Sequence, residues 1–299
     1  MGDLYGWTGK VLHVDLSSGE IRQIDTAQYV PDFVGGVGLA ARIAWDLLAR
    51  WQSTSAGLGM DAFDPQSPLF LMVGPLTGTL ASGAGRVEVL GVAPQQHPPV
   101  FSRSGMGGHW GAEIKYAGFD GIVVTGQAPK PVYLWIEDET VEIREAGELW
   151  GKGTFGTTRA LRAVHGPQTR VVSCGPAGER RSRIAVIQTE TGNAAGQGGY
   201  GGLMGAKRLK AIAVRGTQSV RIAEPQAFLE LCTSASREGQ RPGSFGMHPR
   251  MRSWIAAHAG SGRSVRVRKC GFCITPCVNW LVQNVQSADG AHTESVAQH

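Results

Sequence analysis

Glycine is the residue that most restricts how this chain can fold. The sequence contains 43 glycines among 299 residues, about twice the ordinary usage. Many of them lie in short loops between extended apolar runs, where glycine lets the backbone turn tightly or approach another atom closely. The hydrophobic fraction stays ordinary at 42%, so a chain of this length can bury a core without disulfides. The sequence predicts a folded protein with many close backbone contacts.

The charge balance and the first residues exclude several classes of protein. Lys and Arg number 29 and Asp and Glu number 24, which gives a formal net charge of +5 over a long chain. Nucleic-acid-binding domains concentrate more positive charge, so we expect no nucleic-acid partner. The opening segment MGDLYGWTGK lacks the basic and apolar regions of a signal peptide, and no apolar run reaches the ~18 residues of a membrane helix. We therefore expect a cytoplasmic protein without a membrane partner.

The apolar residues follow a period of two at the start of the chain and then a period of four. Leu12, Val14 and Leu16 alternate with polar residues, a turn follows at 17–19, and residues 20–24 return, which predicts a hairpin. From residue 38 the apolar side chains are spaced four apart, which predicts a helix that ends near residue 51. A further helix is predicted over about 154–165.

Short extended runs bounded by Gly, Pro or Asp make up much of the chain as far as residue 216. They predict strands at 69–73, 87–90, 121–124, 132–136, 141–143, 170–173, 183–187 and 211–214. Beyond residue 216, Glu224-Pro225-Gln226 has the composition of a helix start. The sequence therefore predicts an α+β fold, with a β-rich domain over 1–216 and the start of a helical domain over 217–299.

Three of the five cysteines lie close together near the carboxyl end of the sequence. Cys270, Cys273 and Cys277 have the spacing C-x2-C-x3-C. Three thiolates at this spacing indicate a compact metal centre rather than a disulfide framework. The order is the reverse of the radical-SAM arrangement, and the second C-x2-C of a zinc ribbon is missing. An iron–sulfur cluster is the favoured interpretation.

The residues alone do not identify the fourth ligand of this metal centre. A cubane cluster takes four cysteine ligands, whereas the loop offers three. The alternatives are Cys174, Cys232, a ligand other than cysteine, or no fourth ligand. Zinc, with His258 or His292 as an additional ligand, is the alternative metal. Cys174 and Cys232 lie in apolar segments, which favours packing roles for both.

Three glycine-rich segments have the composition of anion-binding loops. They lie at 74–79, 104–109 and 196–202. Glycine lets successive backbone N–H groups point at a phosphate, and a helix that begins directly afterwards adds its positive end. None of the segments is a Walker A loop or a dinucleotide-binding G-x-G-x-x-G with its acidic partner. Tight turns at sheet edges are the alternative interpretation.

Several longer strings resemble the tungsten-dependent aldehyde ferredoxin oxidoreductase family. They are WTGKVLHVDLSSGE at 7–20, GPLTGT at 74–79, GAEIKYAGFDGIVVTGQAPKPVYL at 111–134, GPAGE at 175–179 and GGLMGAKRLKAIAV at 201–214. The likeness spans nearly the whole chain. It implies a domain of two β-sheets with flanking helices that forms the base for a tungsten bis-pterin cofactor, followed by the start of a helical domain.

The resemblance also implies an activity. An enzyme of this family would oxidise an aldehyde to a carboxylic acid at tungsten and pass electrons singly through a [4Fe–4S] cluster to ferredoxin. Cys270, Cys273 and Cys277 would be the metal ligands, with the fourth cysteine far beyond residue 299. Molybdenum is the alternative to tungsten. The alternative function is a truncated non-catalytic module, or a cluster-bearing electron-transfer or scaffold subunit that needs a second chain.

The resemblance assigns further site residues by their positions in matching strings. Arg86 matches an arginine that lies between pterin and cluster, and Ala194 and Gly196 match backbone positions that contact the cofactor. Glu294 matches a glutamate near the metal. A carboxylate shielded from water has a raised pKa, so Glu294 is the candidate catalytic residue for proton transfer.

The chain departs from the family pattern at two of the expected cofactor-binding positions. Gly105 and Gly107 belong to the middle glycine-rich segment, and Gly105 stands where the family commonly has Asn. Asn193 stands where the family commonly has Arg before Ala-Ala-Gly. The missing Asn removes an oxygen that can bridge magnesium, and the missing Arg removes a phosphate-pairing cation. We expect weaker cofactor binding or a variant ligand, with magnesium as an additional ion.

Overall fold

The computed structural model of the protein describes residues 4–52, 60–239, 263–268, 273, 278–286 and 292–298. The chain divides into two compact units. The first unit comprises residues 1–79 and 84–223, and the second unit comprises residues 80–83 and 224–299. None of the helices in these described stretches has the length and apolar character needed to span a bilayer.

The described part of the first unit contains two six-stranded sheets. The strands of the first sheet are β1 Lys10–Asp15, β2 Ile21–Asp25, β3 Leu69–Met72, β4 Val87–Val92, β5 Phe101–Met106 and β6 Gly121–Thr125. They lie in the order β2-β1-β6-β3-β4-β5. Only β1 and β6 run parallel among these described neighbours. The predicted hairpin is confirmed, with Val11 of β1 opposite Ile24 of β2.

The second sheet contains β7 Val132–Glu137, β8 Thr140–Glu145, β9 Arg170–Cys174, β10 Ile187–Thr189, β11 Ala194–Ala195 and β12 Leu209–Arg215. Their order is β11-β10-β9-β12-β7-β8. The strand predicted at 183–187 is wrong over most of its length, since β10 begins at Ile187. Ala185 O instead accepts a hydrogen bond from Gly201 N at 2.9 Å, so this segment pairs with a helix start rather than with a strand.

The helices of the first unit cover and separate the sheets. They are α1 Val30–Phe33, α2 Gly36–Gln52, α3 Trp110–Tyr116, α4 Thr154–His165, α5 Pro176–Glu179 and α6 Tyr200–Ala206, with a short 3-10 turn at Gly147–Leu149. The helix predicted over 154–165 is confirmed with those bounds. The helix predicted from residue 38 is confirmed as α2, which begins two residues earlier.

The strands divide their side chains between separate apolar clusters. Leu12 and Val14 of β1 belong to the largest cluster, which includes side chains from both sheets and from α3 and α6. Val11 points to the opposite face and packs with Leu39 and Ile43 of α2. A third cluster packs α4 on the outer face of the second sheet. This alternation is what period-two strands buried on both faces require.

The second unit is mixed in the part that the structure describes. Helix α7 Pro225–Gly239 begins where the sequence places a helix start. Three antiparallel strands follow, β13 Arg263–Arg268, β14 Val278–Gln286 and β15 His292–Gln298. The start of a helical domain predicted over 217–299 thus contains one helix and three strands in its described residues. Valines at 265, 267, 278, 282 and 285 favour strands because β-branched side chains suit a pleated surface.

Glycines in α5 and α6 bring backbone into direct contact inside the first unit. A Cβ on Gly178 would lie 2.5 Å from Gly201 O, and a Cβ on Gly205 would overlap Gly178 O. A Cβ on Gly202 would lie 2.5 Å from Ser182 O. Gly178 of α5 and Gly202 and Gly205 of α6 therefore serve packing between backbone segments.

We predict that Gly205→Ala destabilises the protein by about 1–3 kcal/mol or more, because the added methyl group overpacks a backbone contact. Gly156→Ala in α4 is the matched control. Its Cβ would meet only Lys152 Cβ at 3.8 Å, and alanine in a helix is favoured over glycine by about 0.5–1 kcal/mol. Urea unfolding at 25 °C measures both. Equal midpoints for the two variants would contradict the packing assigned to α5 and α6.

Candidate functional site

The edge strands of the two sheets meet in the first unit, because β5 contacts β11. Ser104 Oγ accepts a hydrogen bond from Gln197 N at 3.2 Å. Gln95 adds two bonds, accepting from Gly198 N at 2.8 Å through its side chain and donating its own N–H to Gly198 O at 3.2 Å. We call this junction, residues 95, 104–108 and 189–198, the seam. The middle and third glycine-rich segments therefore lie side by side.

A threonine pair closes the seam against Gly108. Gly108 has a φ of +105°, and a Cβ there would lie 2.9 Å from Thr191 Oγ1 and 3.0 Å from Thr189 Oγ1. Thr191 Oγ1 donates to Asn193 Oδ1 at 2.7 Å, and Thr189 N donates to Asn193 O at 2.8 Å. The Asn193 side chain thus stabilises the turn formed by residues 189–193. Ala194 follows directly as the first residue of β11, opposite Gln188.

Arg86 lies over Gly105. A Cβ on Gly105 would lie 2.5 Å from Arg86 Nε and 2.7 Å from Nη2, so a side chain at residue 105 would displace the guanidinium from this position. Gly105 belongs to strand β5, opposite Glu88 of β4, rather than to a loop. The side chain of Arg86 is 62% exposed. The structure therefore places the expected residues Arg86 and Gly105 in contact on an accessible edge.

The other expected glycines of the seam differ in their surroundings. Gly196 is exposed, and a Cβ there would meet no atom within 4 Å. Gly107 is half-buried between the end of β5 and Gly108. Open backbone at Gly196 leaves room for close approach of a ligand.

The sequence does not indicate a role for two charged residues at this edge, Glu88 and Arg103. Glu88 lies 3.5 Å from Arg86 Nε through Oε1 and 3.1 Å from Arg103 Nη1 through Oε2. Glu88 is also next to Gly36, the first residue of α2, where the helix dipole favours a carboxylate. The alternation in VEVLGV places Glu88 on the face opposite Val87 and Val89. The pairing of β4 with β5, which brings Arg103 alongside, is not visible in that pattern.

Glu190 is a second residue that the sequence does not single out. It lies between the two threonines of the seam and is 9% exposed. Within the described residues, neither carboxylate oxygen accepts a hydrogen bond of good geometry. Burial raises the pKa of Glu190, and nearby backbone N–H groups and the charges of Arg170 and Arg162 offset this only in part. A buried carboxylate without partners destabilises the fold when it is ionised.

The cysteines fall into buried and accessible groups. Cys174 is fully buried in β9, and burial raises the pKa of its thiol to about 12, so it remains protonated and is unsuited to metal ligation. Cys232 in α7 and Cys273 are half-buried, and none of these three described cysteines forms a disulfide. Cys270 and Cys277 lie outside the described residues. Within the described part of the chain, no three His, Cys, Asp or Glu side chains converge as a metal site.

Glu294, the candidate proton-transfer residue, belongs to β15, where its backbone lies opposite Asn284 of β14. His292, the alternative zinc ligand, is the first residue of the same strand. His258 lies outside the described residues. The role of Glu294 therefore stays a prediction from the sequence.

Two packed sheets with flanking helices define an α+β domain. Comparison with known proteins gives the family. Residues 11–216 match the family model described as aldehyde ferredoxin oxidoreductase, N-terminal domain. The chain belongs to this family, as the matching strings of its sequence predict.

The curated relatives are much longer than this chain. The tungsten-containing aldehyde ferredoxin oxidoreductases of Pyrococcus furiosus and Thermococcus kodakarensis are each 40% identical to it over 228 residues. That match covers 76% of this chain and 36% of each relative. The aliphatic sulfonate oxidoreductase, WOR-like subunit, of Pyrococcus furiosus is 33% identical over 229 residues, which is 72% of this chain and 35% of the relative. The chain thus spans little more than a third of their length.

A solved structure supports the fold class. The active site complex BamBC of benzoyl coenzyme A reductase, solved with 1,5-dienoyl-CoA, is similar with a TM-score of 0.80 and 29% sequence identity. The similarity covers 99% of this chain and 49% of the other. The expected α+β architecture of two sheets with flanking helices is confirmed.

We predict that Glu190→Gln stabilises the protein at pH 7 by about 1–3 kcal/mol, because it removes a buried charge that its surroundings compensate only in part. The folded-state pKa of Glu190 is raised above the usual value of 4.5, so the stability of the unaltered protein falls as pH rises through and above that value. The advantage of the variant therefore disappears near pH 4. Urea unfolding at pH 4 and pH 7 measures this difference.

Glu145→Gln is the control for this prediction, because Glu145 is 81% exposed. Its substitution changes stability little at either pH. A Glu190→Gln protein that is less stable than the unaltered protein at pH 7 would show that the Glu190 carboxylate is paired in solution.

Proposed function

We propose that this chain forms the base of a tungsten bis-pterin oxidoreductase that converts aldehydes to carboxylic acids. Membership of the family supports the class of reaction. The observation that carries the proposal is the seam, where β5 contacts β11 and Arg86 lies over Gly105 of β5. Molybdenum is the alternative metal of the cofactor.

The residues of the seam bind and orient the cofactor rather than react. The Arg86 guanidinium pairs with an anionic group of the pterin or its phosphate. Backbone groups at Ala194 and Gly196 would hold the polar part of the cofactor, and the absence of a side chain at Gly196 would allow close approach. The threonines and Asn193 keep that backbone rigid before the cofactor binds. The bound group supplies the two-electron redox change and the Lewis acidity that aldehyde oxidation needs.

Asn193 and Gly105 influence how tightly this cofactor is held. The Oδ1 atom of Asn193 accepts the Thr191 hydroxyl, so the side chain supports the turn and supplies no positive charge. Gly105 supplies no side-chain oxygen for a magnesium ion, so magnesium at the phosphate relies on other oxygens. Arg86 therefore carries a large share of the charge pairing.

An iron–sulfur cluster completes the electron path in this proposal. Cys270, Cys273 and Cys277 supply three thiolates to a [4Fe–4S] cluster, and a fourth ligand comes from outside this loop. The half-buried position of Cys273 suits a ligand, whereas the protonated thiol of Cys174 does not. Such a cluster would supply one-electron transfer to a ferredoxin. Glu294 would accept one of the two protons released when an aldehyde and water give a carboxylic acid and two electrons.

A subunit role is the second candidate function. The similar solved structure is a complex, BamBC, and one relative is described as a WOR-like subunit. The chain spans 36% of the tungsten-containing relatives. In this candidate a second chain supplies the rest of the cofactor site and the fourth cluster ligand, while this chain supplies the base and the three cysteines.

We predict that Arg86→Gln lowers the tungsten and pterin content of the protein purified without oxygen. Loss of a bond to a charged group costs about 1.5–3 kcal/mol, or about 10–100-fold in affinity. Aldehyde-dependent viologen reduction falls in the same proportion as tungsten content. Arg144→Gln is the control, since Arg144 pairs with Glu142 on β8. Unchanged tungsten in Arg86→Gln, or a protein that never contains tungsten or molybdenum, would contradict the proposal.

We predict that Cys273→Ser removes the charge-transfer absorption of the cluster and most of the bound iron. The serine hydroxyl is a poor replacement for a thiolate ligand. Cys232→Ser is the matched control, because Cys232 is also half-buried and lies in α7. Anaerobic absorption spectra and iron analysis after reconstitution with iron and sulfide measure both variants. Zinc as the only bound metal, or equal spectra for the two variants, would exclude the cluster.

A further inference from the structure

Two exposed arginines share one carboxylate beside the seam. Arg86 Nε lies 3.5 Å from Glu88 Oε1, and Arg103 Nη1 lies 3.1 Å from Glu88 Oε2. Both arginine side chains are 62% exposed, whereas the Glu88 side chain is 16% exposed. The carboxylate thus lies beneath two cations that face solvent.

The strand register places these side chains on one face. Glu88 of β4 is opposite Gly105 of β5, and Leu90 is opposite Arg103. Residues two apart in a strand share a face, so Arg103 and Gly105 lie on the same side of β5. The built Cβ of Gly105 meets the guanidinium of Arg86. The two arginines therefore occupy neighbouring positions over the same strand.

Glu88 does not satisfy both guanidinium groups. Each guanidinium carries five N–H donors, whereas one carboxylate has about four acceptor positions. Two positive charges and one negative charge leave the group positive. Two arginines held together repel each other unless an anion lies between or above them. Glu88 supplies the anion below, and the exposed side is open to a second anion.

We propose that Arg86 and Arg103 together form a phosphate-binding site, with Glu88 as the residue that positions both. A planar guanidinium binds phosphate oxygens through two parallel hydrogen bonds, and two of them suit a pyrophosphate or a phosphate ester. The phosphate group of the pterin cofactor is the ligand that we assign to this site. That assignment rests on the proposed function, whereas the phosphate site itself rests on the geometry.

Isothermal titration of the cofactor-free protein with inorganic pyrophosphate tests the site without any redox activity. Arg103→Gln and Arg86→Gln each weaken binding by about 10-fold or more, because each removes a charge-assisted pair. Arg42→Gln is the control, since Arg42 is an exposed arginine of α2 that pairs with Asp46. It changes the affinity by less than about twofold.

The salt dependence gives a second readout. Removal of either arginine of the pair lowers the slope of log affinity against log salt, because fewer charges contact the ligand. Pyrophosphate binding by Arg103→Gln within about twofold of the unaltered protein would overturn the proposal. Equal losses in Arg103→Gln and Arg42→Gln would overturn it as well, because the effect would then be general surface charge.

The Glu88→Gln variant tests whether Glu88 positions the two arginines or only neutralises part of their charge. The variant loses one negative charge, so an unpositioned cluster would bind pyrophosphate more tightly. Since Glu88 holds the arginines together, we expect affinity to fall by about 3-fold or more instead. Tighter binding by Glu88→Gln would contradict the positioning role.

A last comparison distinguishes the source of the phosphate. Protein that contains its pterin cofactor does not bind added pyrophosphate when the cofactor phosphate occupies the pair. Pyrophosphate binding that is unaffected by the cofactor would overturn the assignment to the pterin, while the arginine variants still decide whether the phosphate site exists. Failure of the proposed function would instead be seen as a protein without tungsten or molybdenum.

Discussion

Close backbone contact between α5 and α6 is the constraint on which the rest of the first unit depends. Gly178, Gly201 and Gly205 allow carbonyl oxygens to approach where any Cβ would collide. Helix α6 belongs to the apolar cluster that contains side chains from both sheets, so its position fixes how the sheets pack. The chain that enters α6 is the same chain that forms β11 and the seam. A shift of α6 would therefore displace the seam residues that precede it from β5.

The glycine-rich segments contain residues with opposite roles. Gly178, Gly202 and Gly205 are packed against backbone, whereas Gly196 meets open space and Gly105 lies under an arginine. Composition alone treats all of them alike, because glycine is needed both for close packing and for close approach of a ligand. The three-dimensional neighbours separate the two uses. They also explain why an unusually high glycine content is compatible with a rigid fold.

The sequence predicts those helices and strands whose bounds are set by residues close together in the chain. Helix α4 lies between Gly153 and Gly166, and the alternation of residues 12–16 specifies one strand of the first hairpin. Strand β5 is missing from the strands that the sequence predicts, because FSRSGM is polar and contains glycine. Its pairing with β4 is a contact that no local pattern reveals. Arg103 and Glu88 could be joined only through that pairing. Likewise, the burial of Glu190 follows from packing against residues near 170, which no local pattern reveals.

The central claim is that the cofactor binds where β5 and β11 meet. Hydrogen–deuterium exchange on the protein with its tungsten cofactor, compared with the same protein after cofactor removal, tests it directly. The account predicts that amides over 103–108 and 193–198 exchange about tenfold more slowly when the cofactor is bound. Amides of Thr140–Glu145, the edge strand at the other end of the second sheet, should exchange equally in both states. Equal exchange over the seam with and without the cofactor would contradict the account.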